Sequence, residues 1–171
     1  MGHLEKMQEI DFLGAEFLTW LAVESASERG PEDWGDCRPA SIMVSGPVVL
    51  EGMGHGARQV SVRGDDVLQA QEFRAALAVG KGIRRIKIAV ATDEDEWEGT
   101  LDAKTLEWRG ARVDAPTVAD AAEFAHIRTQ AFERLTRLLD EWFAAFLKRR
   151  MDEHTWDKEI EKIRAFAGES L

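Results

Sequence analysis

Cysteine is nearly missing from this 171-residue chain, with Cys37 standing alone. No internal disulfide can form, and a disulfide-stapled fold is excluded. A single thiol suits a reducing cytoplasm, which is the expected location. Four scattered histidines are too few ligands for a His/Cys zinc site. Long apolar runs are missing as well, since none approaches the roughly 20 residues that cross a bilayer. The opening MGHLEKMQEIDF carries acids where an export signal needs a basic region and an apolar stretch. Neither membrane insertion nor export is expected.

Bases are also in short supply. There are 22 Lys plus Arg against 32 Asp plus Glu, so the formal charge is 22 − 32 = −10. The deficit is concentrated at the front: residues 1–40 hold nine acids and three bases, whereas 41–80 hold four and three, 81–120 nine and seven, and 121–171 ten and nine. Partners respond to local patches rather than totals, so a basic surface remains possible beyond Ser41. What the chain does have is 44% apolar and 32% charged residues. That is the composition of a soluble, core-forming protein, and the length allows one domain.

The pattern predicts three segments. In residues 1–40, Asp11 to Val23 is expected to form a short amphipathic helix. Leu13, Phe17, Trp20 and Leu21 lie on one face of it, and Asp11 is a candidate N-cap. Glu24 to Pro39 is an acidic Gly/Pro/Ser-rich loop that Trp34 would pin down. In residues 41–113, Ser41 to Gly64 reads as two or three short strands broken at Gly46-Pro47 and at Gly52-Met53-Gly54-His55-Gly56. Asp65 to Ala78 reads as a helix stopped by Gly80. Ile86, Ile88 and Val90 alternate with Arg85, Lys87 and Ala89 as a half-buried strand. Trp97, Gly99 and Leu101, then Leu106, Trp108 and Gly110, continue an antiparallel meander after the turn Asp93-Glu94-Asp95. In residues 118–168, Val118 to Arg150 contains neither Gly nor Pro. Its stripe of Phe124, Ile127, Ala131, Leu135, Leu138, Trp142 and Phe146 predicts one long helix, part of it packed on the sheet and part on another surface. A last helix is expected over Asp152 to Ala167. The fold class is therefore α+β: an antiparallel β-sheet of five to six strands packed against helices, with a long C-terminal helix.

Little in the sequence advertises catalysis. Ser45 and Ser61 lack a nucleophile-elbow context, and Cys37 sits in an acidic loop that discourages a thiolate. The run Asp93, Glu94, Asp95, Glu96, Glu98 lacks the Gly and terminal bidentate Glu of a calcium loop, so it reads as a solvated hairpin tip. Gly52, Gly54 and Gly56 lead into a strand rather than a helix, which argues for a hairpin turn instead of a phosphate cradle. His55 reads as an exposed loop residue and His126 as a packed helix residue. Lys148, Arg149 and Arg150 complement the negative end of the long helix. No catalytic set, metal site or cofactor is expected.

The polar feature with most chemical content is Lys81, Arg84, Arg85 and Lys87. Arg85 and Lys87 share the wet face of one strand, and Arg63 and Arg109 could extend it. Two uses compete. Such an array can neutralise phosphates along a duplex. Alternatively the cations pair across strands with Glu96, Glu98 and Glu107, the use that residue patterns alone favour.

Phe12 to Leu21, FLGAEFLTWL, resembles the start of the second half of the recombination-associated protein RdgC family. The order downstream is similar too: a strand ending near Arg63, a helix through Ala78, the strand KGIRRIKIAV, two further strands and a long terminal helix. The resemblance covers nearly all of this chain and about half of a full-length family member. It implies a non-enzymatic α+β protein forming ring-shaped dimers that encircle duplex DNA without sequence preference and restrain a RecA-type recombinase. By that implication Arg63, Lys81, Arg84, Arg85, Lys87 and Arg109 would touch phosphate. The expected partners are DNA, a second copy met through the long C-terminal helix, and a recombinase or other protein. The location would be cytoplasmic and nucleoid-associated. The competing reading is an acidic protein-interaction module derived from this family and lacking DNA binding.

Overall fold

The computed structural model describes residues 3–27, 40–52, 56–114, 118 and 120–168, with side chains in the first helix described from Leu13 onward. Trp34 and Cys37 of the expected loop, and Met53, Gly54 and His55 of the expected hairpin turn, lie outside the described residues. The elements are α1 (His3–Ser25), β1 (Ser41–Glu51), β2 (Gln59–Val62), α2 (Gln71–Ala78), β3 (Gly82–Ala91), β4 (Glu96–Asp102), β5 (Trp108–Asp114), α3 (Ala121–Met151) and α4 (Glu153–Ala167). The five strands form one antiparallel sheet in the order β2-β1-β3-β4-β5. The α+β class, the meander of β3 to β5 and the long C-terminal helix are as the sequence predicts.

The helix α1 departs from the prediction in two ways. It begins at His3, so Asp11 lies within it rather than capping it. No Gly or Pro interrupts residues 3–13, so nothing stops the helix from propagating toward the N-terminus. It is also not amphipathic where it meets the sheet: Phe17, Leu18, Leu21 and Ala22 are fully buried and Trp20 nearly so. The cause is position. α1 packs on β3 and β1, and α3 and α4 close over it from the other side, so no flank faces water. Rings from both sides meet there, with Phe17 against Phe143 and Phe146 and Trp20 against Phe146. Gly14 permits this seating. A Cβ at that position would lie 1.9 Å from the carbonyl oxygen of Ala103, just past β4.

Smaller corrections have local reasons. Gly46-Pro47 is a bulge inside one long strand, not a turn, because the β1–β3 register shifts between Ser45 and Val49 and pairing resumes beyond. A proline lacks the donor a ladder needs, and a bulge is where a sheet tolerates it. α2 starts at Gln71 rather than Asp65. Residues 65–70 make turns held by Gln69 N–H to Asp66 O and Ala70 N–H to Val67 O, and these still bury Val67 and Leu68. The helix ends as Gly80 suggests: with φ of 81°, the Gly80 amide donates to Leu77 and the Lys81 amide to Ala76. In β5 the alternation slips at Gly110, where φ is 61° and the register with β4 shifts. Trp108, Ala111 and Val113 consequently face the helices and Gly110 does not.

Asp120 caps α3 by accepting from the Ala122 amide at 2.9 Å. Burial in α3 begins only at Ala131, so Ala121–Gln130 has no buried residue and His126 is exposed, not packed. Asp152 caps α4 in the same way, accepting from the Thr155 amide. The basic end of α3 does more than complement the helix dipole. Arg150 pairs with Glu16 of α1 at 2.8 Å, and Arg149 lies 3.8 Å from Glu159 of α4. Lys162 completes the junction by donating to Glu24 and Glu159, two carboxylates that are otherwise buried.

Candidate nucleic-acid interface

All the helices that touch the sheet do so on one side: α1 on β3 and β1, α2 on β2 and β1, α3 on β5. Ile86, Ile88, Val90, Trp97 and Leu101 point into that side and are buried. Strand alternation sends their neighbours the other way. Among the described residues nothing packs on this second face, where Met43 stands 64% exposed.

Register places the charges there in rows. From one end of β3 and β4 to the other, the rows read Arg85–Asp102, Lys87–Thr100–Arg109, Ala89–Glu98–Arg112 and Ala91–Glu96–Asp114. Their net charges are 0, +2, 0 and −2, by counting those residues. Arg84 adds a further positive charge beside the first row. It is the extra residue of a bulge in β3, since Val49 pairs with Arg85 and Leu50 with Ile83. The open face therefore runs from basic to acidic along the strands.

The basic end is organised around Asp102, which is 1% exposed. Arg84 donates to its Oδ1, as does the Lys104 amide at 3.0 Å. Arg85 Nε lies 3.6 Å and an Arg109 terminal nitrogen 3.7 Å from its Oδ2, and that oxygen accepts no hydrogen bond from the described residues. Burial would raise the Asp102 pKa, but the hydrogen bonds from Arg84 and Lys104 and the charges of Arg84 and Arg109 outweigh it and hold the carboxyl below its ordinary range. Arg85 and Arg109 keep side-chain exposures of 46% and 56%. One row along, Lys87 pairs with Glu98 at 2.6 Å. Its hydrogen bond and charge also lower the Glu98 pKa.

Four of the six sequence-predicted cations are thus brought together: Arg84, Arg85, Lys87 and Arg109. Two are not. Arg63 is exposed beyond the end of β2, at the far edge of the sheet. Lys81 is 4% exposed and lines a cleft of about 440 Å³ between α1, α2 and α4, on the helical side. The predicted cross-strand partners are corrected as well. Glu98 does pair with Lys87, but among the described residues Glu96 and Glu107 form no ion pair with these cations, and the principal partner is Asp102.

Asp102 and Arg112 are the residues that pattern reading misses. The signal for Asp102 was present: it continues the outward series Glu96, Glu98, Thr100. Placing it opposite Arg85 requires the hairpin register, fixed by the tight turn in which the Thr92 amide donates to Asp95 O. Arg134 of α3 clamps that turn by binding both carboxylate oxygens of Asp95. The acidic tip is thereby a structural anchor as well as a solvated hairpin.

Among the described residues no group of three or more His, Cys, Asp and Glu side chains is placed to hold a metal ion. No helix among them is long and apolar enough to cross a membrane. No protein-family model matches the chain, and neither a curated protein nor a solved structure does.

Proposed function

We propose that this chain is an RdgC-like, non-enzymatic protein that binds duplex DNA without sequence preference, through phosphate contacts at the basic end of its open sheet face, and thereby modulates recombination. One observation carries the reading. The basic end holds Arg84, Arg85, Lys87 and Arg109 against Asp102, and even with Glu98 assigned to Lys87 and Glu51 to Arg84 the balance is 4 − 3 = +1, on a surface that nothing covers among the described residues. A local excess of this kind attracts a polyanion although the whole chain carries −10. The buried carboxylates among the described residues, Glu24, Asp102 and Glu159, are each held by a lysine or arginine. That arrangement suits structure better than proton transfer.

The test is the anisotropy of a labelled duplex titrated with protein at several salt concentrations. Binding in the range of roughly 10⁻⁴–10⁻⁶ M at physiological salt is expected, weakening steeply as salt rises, because each phosphate contact releases counterions. Arg85→Glu and Arg109→Glu should each weaken it by about tenfold or more by reversing a contact charge. Undetectable binding at low salt would overturn the proposal.

A second reading, an interaction module without DNA binding, draws on α3. Its first turns, Ala121–Gln130, leave Phe124 and Ile127 only half covered. A second copy meeting this helix would cover them, and a recombinase or other protein could take the same surface. Light scattering separates these outcomes: a dimer that Phe124→Glu dissociates supports self-association, and a monomer at all concentrations removes it.

A further inference from the structure

A count of charges would score every carboxylate of the open face against DNA, but the geometry of Asp102 gives it the opposite role. We infer that Asp102 is a positioning residue for phosphate binding: it holds Arg85 and Arg109, from the strands on either side, in one two-armed oxyanion site. This inference rests on the DNA-binding reading above.

Asp102 lies at the end of β4, between β3 and β5, with Arg85 as its register partner and Arg109 opposite Thr100 one row along. Its own charge is already answered. Arg84, 20% exposed at its side chain, and the Lys104 amide both donate to Oδ1. Oδ2 faces Arg85 and Arg109 at 3.6 and 3.7 Å, close enough for Coulomb attraction and too far for a hydrogen bond. The two guanidiniums are therefore drawn toward one point while their N–H donors stay free of that oxygen. An arginine whose head is drawn toward one point, with no donor spent on the carboxylate that draws it, is partly pre-organised for a phosphate, since some of the rotamer freedom that binding would otherwise remove is already restricted. Without the carboxylate, two exposed like charges would repel and spread.

A charge count and the positioning role predict opposite signs, which makes the inference testable. Asp102→Asn removes a negative charge beside the site, so electrostatics alone predicts tighter binding. The positioning role predicts duplex binding weakened at least tenfold at low salt. It also predicts a plot of log affinity against log salt that is shallower by about 1.8, the loss of two phosphate contacts at about 0.9 each. A double-mutant cycle adds a readout that simple destabilisation does not move. Arg85→Gln should weaken binding about tenfold in the native background and less than twofold in the Asp102→Asn protein, because the arginine is no longer held. Should Asp102→Asn fail to fold, as judged by circular dichroism, the pair Arg84→Gln with Asp102→Asn keeps the net charge of the native protein. It should bind at least tenfold more weakly than Arg84→Gln alone, a comparison that removes the effect of losing the Arg84 charge.

Binding by either variant that equals or exceeds that of its reference, the native protein or Arg84→Gln respectively, would overturn the inference while leaving the DNA reading intact. A native protein that binds no duplex, and is indifferent to Arg85→Gln, would instead remove the DNA reading itself.

Discussion

The two faces of the sheet are built from the same strands and obey different physics. On the helix-covered face, Ile86, Ile88, Val90, Trp97 and Leu101 are buried in one apolar cluster with residues of α1 and α3, and position is set by shape. On the open face, one residue away in each strand, position is set by charge: carboxylates and guanidiniums are paired by register and graded from basic to acidic. Substitutions on the covered face should therefore change stability and leave ligand contacts intact. Those on the open face should act through charge contacts, with an effect on stability only where, as at Asp102, the side chain is buried.

The largest effect expected is on the covered face. Phe17→Ala empties a fully buried site that touches Phe143 and Phe146. It should cost about 3–5 kcal/mol in urea unfolding, enough to lower the melting temperature by roughly 6–20 °C for a chain of this size. A loss under about 1 kcal/mol would mean that α1 is not buried between sheet and helices. Gly14→Ala comes next and has a diagnostic sign. In an open helix, alanine for glycine stabilises by about 1 kcal/mol. Here the new methyl would meet the Ala103 backbone oxygen at 1.9 Å, and overpacking should cost about 1–3 kcal/mol instead.

Gly14 also shows how much of the molecule could be read in advance. The helical spacing of Phe17, Trp20 and Leu21 and the alternation of Ile86, Ile88 and Val90 are local signals, and the elements they predict are present. Whether a helix is covered on one side or on all sides depends on what returns over it. The Thr19 hydroxyl accepts from the Ile83 amide of β3 on the sheet side, whereas Phe17 and Trp20 are buried because Phe143 and Phe146 of α3, more than a hundred residues later, close the other side. No window of sequence contains that information. The candidate site divides in the same way. That Arg85 and Lys87 share a face follows from period two. That Arg84 turns onto Asp102 follows from a bulge, and that Lys81 is withdrawn follows from the turn closing α2.

Acid should distinguish the faces next. Asp102 titrates below its unfolded value, so the folded protein binds its proton less readily than the unfolded chain does. The stability this confers is present above the unfolded carboxyl pKa of about 3.9 and is lost as pH falls through the lower folded value. Melting temperatures between pH 6 and 2 should therefore hold nearly level at first and then decline below about pH 4. The decline should be shallower in Asp102→Asn, which has no proton to take up there. Parallel curves for the two proteins would mean that the carboxyl is not held by the arginines.

The smallest expected effect gives the sharpest contrast, because it compares adjacent residues of one strand. Met43 is 64% exposed on the open face and Val44 is 6% exposed on the covered one. Val44→Ser removes a buried apolar side chain, worth about 1.5–3 kcal/mol, and leaves a hydroxyl that must find a partner. Met43→Ser removes a side chain already in water, so its cost should stay within about 0.5 kcal/mol. Duplex affinity should also be unchanged, because Met43 lies opposite Ala89, two rows from Arg85. A Met43→Ser penalty approaching that of Val44→Ser would mean that this face is covered in solution, and a penalty that grows with protein concentration would identify the cover as a second copy.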